Sequence, residues 1–453
     1  MNPNEARQDL ASNMIDRREF LRSSTAAVAG IMLSPLILKS ARAQSNDLNL
    51  GLIGAGSQGQ VLLNACLKIP NIRFRAVCDI WTDYNLKRAH NLLKKYGHEL
   101  NAYEDFREML AKERGNLDAV LVATPDFWHA DHAIACLNAG LNVYLEKEMS
   151  NTLEGAKRIL NAARASNKVL QVGHQRRSNP WYLHSYNKIL QEAKALGRIT
   201  TVYGQWNRSV QPDFGWPEKY AIPAATLKKY GFDSMHQFRN WRWYKGLGGG
   251  PIVDLGSHQI DIYNWFLNGP PKSVIASGGT DYYDPKTHEW YDGVLATFEY
   301  NNGNGTTRAF YQTITTNSNQ GYYENFMGDE GALVISESSG RTGIYREPNA
   351  PDWEKWVKLG YIKAPMEEKP ANAAAAVLDV RETVAPPKFE LPVKFNDPYH
   401  KPHLENFFGA IRGTAKLNCP VEIGYETAVT VLKVNEAVRT GQKIAYRKEE
   451  FLV

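Results

Sequence analysis

From residue 48 onward, short apolar runs alternate with longer amphipathic ones. Leu48–Ile53, Phe74–Cys78, Ala119–Ala123, Asn142–Leu145 and Val169–Val172 are each too short for a helix and mostly apolar. Such runs predict strands. Between them, apolar residues recur at helical spacing. The pattern predicts helices over Gly59–Ile69 and from starts near Asp105, His129 and Thr152. Strands alternating with helices at this spacing predict a parallel, doubly wound α/β sheet over residues 47–172.

After Gly173 the character of the chain changes. Ile199–Trp206, Lys272–Gly278, Gly293–Tyr300, Gly305–Thr315, Tyr322–Gly328 and Ala332–Glu337 predict consecutive strands, many joined by Asn-Gly or Asp-Glu-Gly turns. A C-terminal α+β domain over 173–453 with a large, mostly antiparallel sheet follows. One helix, Pro251–Phe266, interrupts it, and His403–Arg412 and Tyr425–Thr440 predict two more. Residues 346–398, rich in Pro, Lys, Glu and Ala without a period, predict a surface insertion or an arm onto a neighbouring subunit. The broad sheet leads to an expectation of a homo-oligomer.

Composition narrows the class. The chain has 453 residues, 43% of them hydrophobic, and its net charge of +5 is scattered rather than clustered, which argues against a nucleic-acid partner. The N-terminus adds a destination. Asp16-Arg17-Arg18-Glu19-Phe20-Leu21-Arg22, an apolar run from Ala26 to Leu38, and a small-x-small site at Ala41-Arg42-Ala43 read as a twin-arginine export signal over residues 1–43, with Asp16 where Ser or Thr is commoner. The run of about 13 residues, broken by Pro35, is too short to span a hydrocarbon core of about 30 Å, so no membrane anchor is expected after signal removal. The expected destination is the periplasm. Cys66, Cys78, Cys136 and Cys419 form no C-x-x-C pair, which predicts core residues rather than disulfides or a metal site.

The candidate chemistry lies at the predicted strand ends. Gly54-Ala55-Gly56-Ser57-Gln58-Gly59 follows the first strand and opens the first helix, the context in which such glycines let a backbone approach a pyrophosphate. Asp79 ends the second strand, where a carboxylate accepts from an adenosine ribose hydroxyl and repels a 2′-phosphate, favouring NAD over NADP. Thr124, Pro125, Trp128 and His129 sit at the same sheet edge. Trp128 and His129 either contact the cofactor or cap and pack the next helix. Glu146 and Lys147 end the next strand. On the predicted helix of GGGPIVDLGSHQID, Asp254, His258 and Asp261 share a face. Asp254 and His258 are the catalytic candidates and Asp261 the structural neighbour. Gly248–Gly250 are expected to let the loop approach the cofactor. No third ligand suggests a metal there. Trp241 and Tyr244, with His174 and Arg176, are candidate walls of a sugar pocket.

These motifs resemble the Gfo/Idh/MocA family of nicotinamide-dependent sugar oxidoreductases. The resemblance covers GAGSQG, the Asp79 strand end, TPDFWH, the LEK run, VGHQRR, DLGSHQID and NFFGAIRG. It implies an N-terminal Rossmann domain, a sugar or glycoside substrate, and Lys147, Asp254 and His258 around the reacting carbon. The chain departs from the family's usual Glu-Lys-Pro by placing Glu148 after Lys147. Chemically, a neutral His258 is suited to take the hydroxyl proton and Lys147 to stabilise the alkoxide, while Asp254 either orients His258 or binds a neighbouring hydroxyl.

Export has a consequence for such an enzyme. Outside the cytoplasm a released nucleotide is lost, so NAD is expected to stay tightly bound and to be restored in each cycle. A second sugar, an external redox partner, or the substrate itself satisfies that demand. The last scheme is glycosidase chemistry by oxidation, elimination and reduction, and it resembles glycoside hydrolase family 109. The D-x-G-x-H-x-x-D helix resembles the dehydrogenase branch, which favours an oxidoreductase acting at C3 over a hydrolase, and the intact Lys147, Asp254 and His258 set argues against a non-catalytic sugar-binding protein.

Overall fold

The computed structural model describes residues 47–303, 305–365 and 386–452. The arginine-pair segment, the cleavage site and the middle of the 346–398 stretch lie outside them. The first sheet comprises β1 (Leu48–Ile53), β2 (Ile72–Cys78), β3 (Asn101–Tyr103), β4 (Ala119–Val122), β5 (Asn142–Leu145) and β6 (Leu170–Val172). They run parallel in the order β3-β2-β1-β4-β5-β6. All four residues of β4 are fully buried, the state its uninterrupted apolar sequence requires. The helices are α1 (Ser57–Cys66), α2 (Lys87–Lys95), α3 (Phe106–Glu113), α4 (Asp126–Asn138) and α5 (Leu153–Ser166). Side-chain caps fix two of their starts. Asp105 accepts from Arg107 N at 2.9 Å, and Thr152 from Gly155 N at 3.1 Å. α4 begins three residues earlier than its apolar pattern predicts, so His129 lies inside the helix rather than at its start.

The second sheet is built from β7 (Ile199–Asn207), β8 (Ser273–Gly279), β9 (Gly293–Asn301), β10 (Thr306–Ile314), β11 (Tyr322–Gly328), β12 (Gly331–Ile335), β13 (Gly343–Arg346), β14 (Lys388–Phe389) and β15 (Ile444–Ala445). Their order is β14-β13-β12-β11-β7-β10-β9-β8-β15. Every pairing is antiparallel except β10 with β7. Alternate residues such as Val294, Ala296 and Phe298 are buried, while Leu295 is 44% exposed.

The remaining helices are α6 (Pro180–His184), α7 (Ala224–Lys229), α8 (Met235–Arg239), α9 (Gly250–Asp254), α10 (Gly256–Phe266), α11 (Glu354–Lys358), α12 (Lys401–Ile411), α13 (Val421–Thr440) and α14 (Lys448–Phe451). α10 lies against the buried face of the second sheet. A Cβ on Gly204 of β7 would come within 2.1 Å of Tyr263 Oη, so only glycine lets α10 approach this closely. The expected single helix from Pro251 to Phe266 is instead two, broken at Leu255. The four cysteines are buried and free, and no described helix is long and apolar enough to cross a membrane.

Candidate active site

β1 and β4 are neighbours, so the connections leaving them diverge to opposite sides, and the carboxyl ends of β1, β2, β4 and β5 open one crevice. A cavity of about 520 Å³ occupies it. Gly54, Gly56, Ser57, Gln58, Asp79, Thr124 and Pro125 line one end. Gly54 has φ +90°, and a Cβ there would lie 2.6 Å from Ala123 O. The missing Cβ of Gly56 faces only Asn85 Nδ2, at 3.7 Å, and no side chain caps the start of α1. That combination of open space and unclaimed N–H groups fits a pyrophosphate. Gly59 has a different role. Its Cβ would lie 2.1 Å from Gly54 O, so it seats α1 on the loop and does not line the cavity.

Asp79 is held in place before any ligand arrives. Its carboxylate accepts from Ala55 N at 2.7 Å and Trp81 N at 2.8 Å. Burial pushes its pKa up to about 6 against these donors. Gln58 Nε2 donates to Glu146 Oε1 at 3.0 Å, tying the glycine loop to the end of β5.

At the other end, Lys147 from β5 meets α9 and α10. Its ammonium donates to Asp254 O at 2.6 Å and lies 3.2 Å from Asp254 Oδ1. The break at Leu255 makes this possible. His258 N donates to Leu255 O at 3.3 Å, leaving the Asp254 carbonyl for Lys147. Arg242 Nε pairs with the other carboxylate oxygen at 3.1 Å. Burial raises the Asp254 pKa, but Arg242, Lys147 and Arg208 together hold it well below the ordinary carboxylate range. Asp254 therefore binds cations and makes no hydrogen bond to His258, which removes one of the two roles expected for it.

His258 lines the cavity with its ring 5.3 Å from Trp206. Its Nδ1 is enclosed without a partner among the described residues. Burial, with the charge of Lys147, lowers its pKa well below the usual imidazole value, so the ring is neutral. Asp261 is elsewhere. It is 1% exposed and takes Arg177 Nε on both oxygens at 2.9 Å.

Several expected site residues do not reach the cavity. His129 is fully buried, with its ring nitrogens 2.7 Å from Glu148 O and 2.8 Å from Thr124 O. It fastens two strand ends together beneath the site. Arg176 is 1% exposed and bound to Glu337 Oε2 at 3.0 Å and to Glu324, so its charge is spent in the core. His174 is 1% exposed and turned inward, and the next residue, Gln175, lines the cavity instead. Tyr244 is hydrogen-bonded to His236 Nδ1 at 2.8 Å, outside the cavity. Gly248–Gly250 approach protein rather than cofactor: Trp290 Nε1 donates to Gly248 O at 2.7 Å, and a Cβ on Gly250 would meet the Trp290 ring at 2.8 Å. Trp128 and Trp241 do line the cavity.

Asp126, the first residue of α4, was not singled out from the sequence. It lies in the cavity wall, and burial together with Asp254 raises its pKa to about 7, against Lys147 and Arg242. Its signal was present in TPDFWH as an acid in a first helical turn. His400, 3.0 Å from Gln58 Nε2, had no local signal.

The cavity's outer wall comes from the Phe214–Leu247 excursion between β7 and α9. Tyr230, Phe232, Phe238 and Trp241 line the cavity. The same segment is fastened to the first sheet's edge. Trp128 Nε1 donates to Tyr230 O at 3.1 Å, Tyr230 Oη to Glu104 Oε1 at 3.1 Å, and Phe232 packs edge-on to Phe127 at 5.5 Å. This strap encloses the nucleotide end with aromatic rings.

Two family models match the chain. One describes an oxidoreductase family's NAD-binding Rossmann fold and matches residues 48–174; the other describes the same family's C-terminal alpha/beta domain and matches residues 192–446. D-glucoside 3-dehydrogenase of Escherichia coli is 28% identical over 57% of this chain and 68% of its own. Inositol 2-dehydrogenase of Salmonella typhimurium is 25% identical over 50% of this chain and 56% of its own, so the chain spans little more than half of that relative. The WlbA dehydrogenase from Bordetella pertussis, solved in complex with NADH and UDP-GlcNAcA, shares the fold with a TM-score of 0.65 at 18% identity, covering 88% of this chain and 98% of that one. With both family models matched along most of its length and a glycine cradle that fits a dinucleotide, the chain belongs to the Gfo/Idh/MocA family of NAD-dependent oxidoreductases.

Proposed function

We propose that the chain is an exported oxidoreductase that moves hydride between tightly held NAD(H) and a secondary hydroxyl or ketone of a sugar or glycoside, with C3 as the reacting position. One observation carries this reading: Lys147, from the nucleotide-binding sheet, converges with Asp254 and His258 in the cavity that begins at the glycine loop. The names of the glucoside and inositol dehydrogenases support the substrate class, and the first of them supports C3.

Gly54, Gly56, Ser57 and Asp79 would hold the nucleotide, which when bound supplies the hydride acceptor and donor. The protein's own groups do the rest. Neutral His258 accepts the hydroxyl proton as the carbinol is oxidised and returns it on reduction. Lys147 stabilises negative charge on the reacting oxygen, within a site where partial burial strengthens that interaction. Asp254 aims Lys147 and Arg242 rather than His258. The aromatic strap over the nucleotide end supports retention of the cofactor, and the Asp16–Arg22 motif supports export.

The test begins with the purified protein. Mass spectrometry and absorbance should find bound nicotinamide nucleotide, and a glycoside panel should reduce it with keto-sugar formation at C3. Free aglycone without accumulated keto-sugar would indicate hydrolysis instead. His258→Ala should slow turnover by about 10²–10⁴-fold with nucleotide retained. Absence of nucleotide, or unchanged turnover in that variant, overturns the reading.

A further inference from the structure

Beside the reacting residues, the main cavity opens into an annex of about 80 Å³. Arg208, Arg239, Arg242 and a single carboxylate, Asp254, belong to the walls of both. Asp254 is already engaged by Lys147 and Arg242. Neither Arg208 nor Arg239 forms an ion pair with any described carboxylate. Arg239 is held by rings, its guanidinium 5.3 Å from Trp81 and 5.7 Å from Phe214, with Nε donating to Gly215 O at 3.1 Å. Arg208 lies over Trp206 at 5.4 Å, the same ring that packs against His258.

Two guanidiniums without carboxylate partners share one concave wall, Arg208 exposed and Arg239 half-buried, so solvent meets their charges until a ligand does. Their planar donor forks match a carboxylate or phosphate. A neutral sugar brings no counter-charge to either. Stacking fixes the side chains in advance, so less conformational entropy is lost when an anion binds.

We infer that the annex is a subsite for an anionic substituent, so the substrate is an acidic sugar carrying a carboxylate or a phosphate beside the carbon presented to His258 and Lys147. This rests on the oxidoreductase reading for the reaction, but not for the binding. Phe214, Trp243 and Tyr283 line it as well, with neutral polar groups from Ser209, Gln211 and Asn240, and the arginines are the only cationic groups in its wall.

The experiment uses the holoenzyme as purified. Calorimetric binding and reduction of the bound nucleotide are measured with methyl glucoside, methyl glucuronide and glucose 6-phosphate. The acidic sugars should bind roughly 10- to 100-fold tighter than the neutral one, a preference that falls as salt rises. The uronide and phosphate arms separate the two anions. In Arg208→Ala, or Arg208→Gln if the first fails to fold, the ratio of acidic to neutral affinity should collapse toward one. Equal wild-type affinity for neutral and acidic sugars, or a ratio untouched by the variant, overturns the subsite. If acidic sugars bind in an Arg208-dependent way but none reduces the nucleotide, the subsite stands and the oxidoreductase reading falls. If only neutral sugars react, the reverse holds. If no sugar binds, both fall.

Discussion

Replacing Asp261 by Asn separates structure from chemistry on the helix that carries both. The substitution preserves shape and removes one charge. Asp261 is 1% exposed, its carboxylate takes Arg177 Nε at 2.9 Å on each oxygen, and it accepts from Thr427 Oγ1 at 2.9 Å. Arg177 is itself buried, and its pKa is raised by Asp261 despite the opposing effect of burial. An asparagine leaves that guanidinium charged and uncompensated, a change that costs about 3–5 kcal/mol. Spread over a unit of roughly 250 residues, this lowers Tm by about 6–10 °C. Differential scanning calorimetry reads the loss, and nucleotide content with single-turnover reduction at lower temperature reads the chemistry. We expect Tm to fall while turnover of the folded fraction holds. The double variant Arg177→Met/Asp261→Leu, which removes both charges, should be more stable than Asp261→Asn alone. A Tm within a degree of wild type refutes the ion-pair argument, and a kept Tm with lost turnover places Asp261 in the reaction.

Stability should fall between about pH 6.5 and 8. Burial raises Asp126 to about 7 and Glu148 to about 8, so both bind a proton more tightly when folded, and the stability this gives is lost as pH rises through those values. His129 and His174, lowered to about 4 by burial, act oppositely but have delivered their full contribution by their unfolded value of 6.5. Asp126→Asn with Glu148→Gln should flatten the alkaline fall in Tm, and an unchanged slope would refute the assignment. Gly59→Ala forces a Cβ to 2.1 Å from Gly54 O and should abolish nucleotide retention by displacing the loop, although residue 59 does not line the cavity; retention at wild-type levels after gel filtration would contradict this. Phe232→Ala, at a residue 2% exposed between Phe127 and Phe238, should loosen the strap and speed nucleotide loss on dialysis about tenfold or more, whereas unchanged loss would show that the strap does not retain it.

Much of the frame was legible because it is local. An uninterrupted apolar run such as Ala119–Val122 suits a strand covered on both faces, and glycines at 54, 56 and 59 between a strand and a helix announce a backbone that something must approach. The run Gly293–Tyr300 likewise read as a strand, and in the structure its alternate residues face the core. Sequence alone thus determined the two sheets, the edge where the crevice opens, and the residue types that arrive there.

The tertiary structure decided which of those residues meet. Lys147 reaches Asp254 across 107 residues of chain, and it does so through a carbonyl freed by a helix break at Leu255 that no proline or glycine at that position signals. His174 and Arg176 just past a strand end, and His129 in the first turn of the helix after another, carry the right chemistry, yet packing turns each inward. The parallel pairing of β10 with β7 and the strap over the nucleotide end were equally out of reach. Periodicity reports which face of an element is buried. It does not report what buries that face, and the direction, partner and charge state of a buried polar group depend on residues far along the chain.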